Sequence, residues 1–162
     1  MSSPLPELIE EDISEVERAM QELLLKSDAN VSLLLDKGGF LITKCGNYQK
    51  FDTVTLAALA AASFAATQGI ASLVCENNFS SVYQQGEENS MLVLNIDDNC
   101  LLTVVFSANI SVGAVKYFSG TTVKQIAKQM KRARTRAPQA GLDLSLLNMA
   151  DPTSVFRKKR AG

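Results

Sequence analysis

Histidine is absent from the 162 residues, which removes much catalytic chemistry at once: no Ser-His-Asp or Cys-His arrangement and no histidine metal site can be built. Two carboxylate pairs remain, Glu87-Glu88 and Asp97-Asp98. Both fall between apolar runs, in stretches that read as hairpin turns, where acids form the turn and stay solvated. Gly38-Gly39 lacks the Lys-Ser/Thr and the following helix of a phosphate-binding loop. Cys45, Cys75 and Cys100 lie far apart without metal-ligand spacing, and their odd number argues against a disulfide framework. They read as reduced thiols of a cytoplasmic protein. No catalytic residue, cofactor or metal is therefore expected, and the chain does not read as an enzyme in its own right. Basic residues cluster late in the chain without interleaved aromatic residues for base stacking, so nucleic-acid binding is not expected either.

What remains is recognition, and the elements that would carry it follow from patterning. Between Asp52 and Glu76 lie 23 residues without a charge. A helix that is apolar or small all round must be covered on more than one side. Its large residues Leu56, Leu59, Phe64, Ile70, Leu73 and Val74 suit a packed core. Ala61, Ala65, Gly69 and Ser72 recur at near-helical spacing and form a flat stripe that another backbone can approach. The stretch has the length of a membrane span, but Thr53, Thr55, Ser63, Thr67, Gln68 and Ser72 lower its hydrophobicity, so a buried interface helix is expected and no span.

The remainder organises around that helix. Pro4 and Pro6 precede an acidic helix whose Ile9, Ile13, Val16, Met20 and Leu23 repeat at helical spacing, with Glu22 and Lys26 as a supporting pair. Val31 to Leu35 reads as a central strand, joined by the turn Asp36-Lys37-Gly38-Gly39 to Phe40 to Thr43. Asp52 is placed to cap the uncharged helix. Phe79 to Gln85 is a polar strand whose only large side chains are Phe79, Val82 and Tyr83, as suits a sheet edge open to pairing. Met91 to Ile96 and Leu101 to Phe106 follow as strands. A last helix starts at Ser111 with Lys116, Lys124 and Lys128 outward; Ser119-Gly120-Thr121-Thr122 interrupts it, and residues 112–118 read alternatively as a strand. The expected architecture is α+β, in the order α-β-β-α-β-β-β-α, an antiparallel sheet sandwiched by helices.

Residues 1–7 form a lead, 8–135 the domain, and 136–162 a tail with a leucine cluster and the basic run Arg157 to Arg160. Residues 1–30 hold eight acids and two bases, whereas residues 121–162 hold two acids and ten bases, so the two terminal segments have faces of opposite sign and are expected near one another. No basic-then-apolar leader opens the chain, so no export is expected, and the Asn-x-Ser sites at Asn30, Asn78 and Asn109 are coincidental.

Several of these stretches resemble the Roadblock/LC7 family: the hairpin Leu33 to Ile42, the helix entry Phe51 to Leu59, Glu76 to Phe79, and Ser111 to Lys116. Within that family the chain is most similar to bacterial gliding-motility regulators that partner a small Ras-like GTPase. The resemblance covers about residues 8–135. It implies a profilin-like five-stranded sandwich and a homodimer with paired long helices and joined edge strands, placing Leu59, Phe64, Phe79, Val82 and Tyr83 at the dimer interface. It also implies docking of the GTPase on the helix pair, at Ala65 and Gly69 with the neighbouring Ala61 and Ser72, and contacts from Lys116, Lys124 and Lys128. The function it implies is GTPase activation in bacterial motility or cell polarity, with an effect on nucleotide exchange left open. A dimeric adaptor without effect on GTP turnover shares the same features. Small residues such as Ala65 and Gly69 also serve plain helix packing inside a dimer.

Overall fold

The computed structural model describes residues 4–136. Its elements are α1 (Glu10–Ser27), β1 (Val31–Asp36), β2 (Leu41–Gly46), α2 (Thr53–Leu73), β3 (Ser81–Gln84), β4 (Asn89–Asn95), β5 (Cys100–Ser107) and α3 (Val112–Thr135), with a 3₁₀ turn at Tyr48–Lys50. The expected order and α+β class hold. The leucine cluster and basic run of the tail lie outside the described residues, as do residues 1–3.

All strand pairs are antiparallel, in the order β2-β1-β5-β4-β3. β1 and β5 are central strands covered by helices on both faces, which is why their sequences are almost continuously apolar. Side chains alternate along them. Leu34, Leu92, Leu102, Val104 and Phe106 join Val16, Met20 and Leu23 of α1 and Val115, Ile126 and Met130 of α3 in one core. Leu33, Leu35, Val93, Leu101 and Val105 face the other way and meet α2. The molecule therefore has three layers, with α1 and α3 on one face of the sheet and α2 alone on the other. α2 is also the crossover that carries the chain from the β2 edge to the β3 edge.

The hairpin turn between β1 and β2 forms as expected, with the Asp36 carboxylate accepting from Phe40 N at 2.9 Å. Gly46 closes β2 with φ +96°, and a Cβ there would collide with the carbonyl oxygen of Asn30. The Glu22–Lys26 pair is present at 2.7 Å.

Two features depart from the local reading. α3 runs unbroken through Ser119 to Thr122, so the strand alternative for 112–118 is excluded. Ser119 and Thr122 are small enough to be buried on its inner face while Gly120 faces solvent. Packing of Val115, Ile126 and Met130 outweighs the roughly 1 kcal/mol that a mid-helix glycine costs relative to alanine. The second departure is Asp12, one of the acids at the start of α1, whose side chain is fully buried. It accepts hydrogen bonds from Ile9 N at 2.9 Å, Gln129 Nε2 at 2.7 Å and both terminal nitrogens of Arg136 at 2.8 Å. The Arg136 guanidinium holds its carboxyl far below the usual carboxylate range. This clamp joins the start of the acidic helix to the end of the basic one and satisfies the buried charge that α1 would otherwise strand.

Candidate protein-interaction surface

The uncharged helix is held at both ends by backbone chemistry. Asp52 accepts from Thr55 N at 3.1 Å and from Thr55 Oγ1 at 2.7 Å, and these bonds lower its carboxyl pKa. At the other end Cys75 takes a left-handed conformation, φ +60°, and Glu76 N donates to Ala71 O at 2.9 Å, a Schellman closure made without glycine.

The orientation of α2 inverts the expectation drawn from its large residues. Ala57, Ala60, Ala61, Phe64 and Ala71 face the sheet and are buried, whereas Leu59 is 63% exposed, Ile70 50%, Leu73 82% and Val74 60%. Only Phe64 of the large set is buried; Leu56 is half-buried. The physical reason lies in the sheet, whose Leu33, Leu35, Leu101 and Val105 fill the layer, so the helix approaches through alanines. The helix is long and apolar enough to cross a membrane by length and composition. Its sheet-facing side belongs to the domain core.

The predicted stripe is consequently split. Ala61, 3% exposed, and Phe64, 4% exposed, face the sheet and belong mainly to the chain's own core, where little of either side chain reaches the surface. Ala65, Gly69 and Ser72 are exposed. A Cβ added at Gly69 would meet nothing within 4 Å, so nothing else within the described residues requires a glycine there. Together with Leu59, Ile70, Leu73 and Val74 these residues make a broad, uncharged outer face.

β3 is the open edge at one end of the sheet, paired only with β4. Val82 packs under α2, Tyr83 stacks on Phe106 with ring centroids 6.2 Å apart, and Phe79 is half-buried before the strand starts. Lys116, Lys124 and Lys128 are exposed on α3. That places them across the sheet from α2, so within one chain they do not share a surface with Ala65 and Gly69. Periodicity assigns a residue to a helix face and says nothing about which side of a sheet the helix covers.

The remaining chemical candidates have structural duties. Asp97 accepts from Asn99 N at 2.8 Å and Cys100 N at 2.9 Å and pairs with Arg134 at 3.0 Å, fixing the β4–β5 turn. Glu87 and Glu88 are exposed in the β3–β4 turn. Burial pushes the Cys45 thiol up to about 11 and the Cys100 thiol to about 12, so both stay protonated. Among the described residues no cluster suited to a metal ion forms.

A family model described as the Roadblock/LC7 domain matches residues 15–106. The chain belongs to the Roadblock/LC7 family. Its three helices and five-stranded antiparallel sheet are the Roadblock, profilin-like fold. MglB of Myxococcus xanthus is similar with a TM-score of 0.74 at 27% identity, covering 82% of this chain and 99% of that one. An MglB described with a tetrameric arrangement gives 0.75 at 27%, over 82% and 99%. A gliding protein MglB from Thermus thermophilus gives 0.74 at 26%, over 81% and 99%. Sequence comparison with curated proteins gives no match. The chain is thus a Roadblock/LC7 domain with an MglB-like structure, in a family of regulators and adaptors typically without catalysis of their own.

Proposed function

We propose that this Roadblock/LC7 chain acts as a homodimer that binds a small Ras-like GTPase and accelerates its GTP hydrolysis, in bacterial motility or cell polarity. The observation that carries the reading is the outer face of α2, an uncharged surface of Leu59, Ile70, Leu73 and Val74 around the flat Ala65-Gly69-Ser72 stripe, in a fold similar to MglB over 82% of the chain. An apolar helix face of this extent is normally covered. In the dimer, the α2 helices lie side by side and the β3 edges join two five-stranded sheets, with Leu59, Val82, Tyr83 and Phe79 near the junction. The tetrameric arrangement described for one MglB and the gliding role named for another support assembly and process.

The mode of acceleration follows from where the arginines lie. A GTPase-activating protein can insert an arginine against the developing phosphate charge. Among the described residues the arginines are Arg18, Arg132, Arg134 and Arg136, all on α1 or at the end of α3, and Arg18, Arg134 and Arg136 are engaged with Glu15, Asp97 and Asp12. α2 and β3 carry none. The docking surface proposed here, α2 with β3, therefore supplies no arginine; as the family resemblance implies, it acts by reshaping the GTPase so that its own groups are placed for hydrolysis, and it shifts that equilibrium only by its preference for the competent, GTP-bound form.

Single-turnover GTP hydrolysis by the small Ras-like GTPase of the same organism, with and without the full chain, tests the reading, with light scattering for the mass. Acceleration by a dimer is the expected result. Binding of the GTP-loaded form without acceleration makes the chain a dimeric adaptor, and absence of binding overturns both.

A further inference from the structure

Beside the middle of α2, three separate segments close a cleft of about 490 Å³. The segments are the β1–β2 turn with Lys37, the run from Asn78 to Ser80 that enters β3, and the end of β4 with the turn that follows it, carrying Asn95 and Asp98. Cross-element hydrogen bonds brace it: Lys37 N donates to Asn99 O at 2.8 Å, Asn95 N to Ser80 O at 3.0 Å, and Gln68 Nε2 to Phe79 O at 3.0 Å. A braced cleft within the roughly 300–1,000 Å³ of small-molecule sites is a preformed one.

Its chemistry is that of a site for both signs of charge over an aromatic base. Phe64 and Phe79 line it, with the Lys37 ammonium 6.0 Å from the Phe64 ring centroid. Among the described residues neither Lys37 nor Asp98 has an ion-pair partner, although both line the cleft. By contrast the neighbouring Asp97 is engaged by Arg134. Two further lining residues hold buried acceptors without a donor, Gln68 Oε1 and Asn95 Oδ1. The bond from Gln68 Nε2 to Phe79 O fixes which end of that amide is the oxygen. Both oxygens are shielded from solvent, so the charged groups a ligand meets in the cleft are Lys37 and Asp98.

We propose that this cleft is a binding site for a zwitterionic ligand of amino-acid to dipeptide size with an apolar side chain. The carboxylate pairs with Lys37, the ammonium with Asp98, and the apolar side chain lies on Phe64 and Phe79. The site does not depend on the GTPase reading, although Ala65 borders both the cleft and the outer face of α2 and Phe79 lies near the dimer junction proposed above.

The test is calorimetric titration of the full chain, without any GTPase, with L-phenylalanine and L-leucyl-L-phenylalanine as probes. N-acetyl-L-phenylalanine and L-phenylalaninamide each lack one charged end. Saturable zwitterion binding with Kd near ~1 mM or tighter is expected, weakened about tenfold when either end is blocked. Lys37→Ala should remove the advantage of a free carboxylate and Asp98→Asn that of a free ammonium. Both residues are exposed on turns, and unchanged melting temperatures of the two variants report that the fold is retained. No saturation by ~10 mM, about ten times the weakest Kd expected of the site, overturns the proposal. Equal binding of zwitterion and blocked analogues, or indifference to both substitutions, does the same.

Discussion

Gly69 offers a test in which stability and binding should move in opposite directions. It sits inside a 21-residue helix, on the side away from the sheet, and an added Cβ meets nothing within 4 Å. In a helix interior glycine is about 0.8–1.0 kcal/mol worse than alanine. Gly69→Ala should therefore stabilise the isolated protomer by about 0.5–1 kcal/mol, which for a chain of this size raises Tm by roughly 1–4 °C. If a second backbone lies against Gly69 in the complex, the same methyl group overpacks that contact. Overpacking costs about 1–3 kcal/mol, a loss of roughly fivefold to more than a hundredfold in Kd. Gly69→Arg adds length and charge to the uncharged face and should abolish the contact. Melting curves over a range of protein concentrations separate the protomer from the assembly, because only association makes Tm depend on concentration. Light scattering and single-turnover GTP hydrolysis then show which contact is lost. Loss of the dimer assigns Gly69 to packing between copies; an intact dimer without GTPase activation assigns it to docking. A fall in protomer stability for Gly69→Ala, or unchanged dimer mass and GTPase response with Gly69→Arg, would refute the argument from close approach.

Two further substitutions address how the domain is held. Arg136→Ala leaves the fully buried Asp12 carboxylate without its counter-ion, with only the Ile9 and Gln129 donors, and should lower stability in urea melts more than Asp12→Ala. Asp12→Ala removes the buried charge, frees a partly exposed guanidinium to water and strands the Gln129 amide at a cost of about 1–3 kcal/mol. Because the folded-state pKa of Asp12 is depressed, its contribution is complete above the ordinary value of 3.8 and declines as pH falls below it, so the gap between wild type and Asp12→Asn should narrow between pH ~4 and pH ~2. Cys75→Gly relieves a left-handed residue at the end of α2 and should raise Tm, by roughly 0.5–1 kcal/mol of stability; a lower Tm would mean that the Schellman closure does not form in solution.

The features legible in the sequence are those encoded by neighbouring residues. The Asp36 to Gly39 turn, the Asp52 cap and the continuous apolar runs of β1 and β5 each follow from chemistry within a few positions, and together they order the fold. The facing of α2 does not. Its 23 uncharged residues offer almost no contrast around the helix, so the side that meets the sheet is decided by the volume already filled by Leu33, Leu35 and Leu101, and the alanines go inward. The same non-locality hides Asp12, whose partners lie 117 and 124 residues away. It also conceals the cleft, whose Lys37, Gln68, Asn95 and Asp98 come from segments that only the sheet brings together.

Once those placements are known, the charge pattern has a structural meaning. The acidic α1 and basic α3 lie side by side on one face of the sheet, and they bind part of each other's charge through Asp12 and Arg136. The opposite face carries a helix with no charge at all. A partner that engages α2 is therefore selected by shape and apolar burial, interactions that salt screens little, whereas any partner drawn to the lysines of α3 meets a face whose attraction weakens beyond a Debye length of about 8–10 Å. The fold thus offers two surfaces governed by different physics, and the split stripe of small residues belongs only to the first.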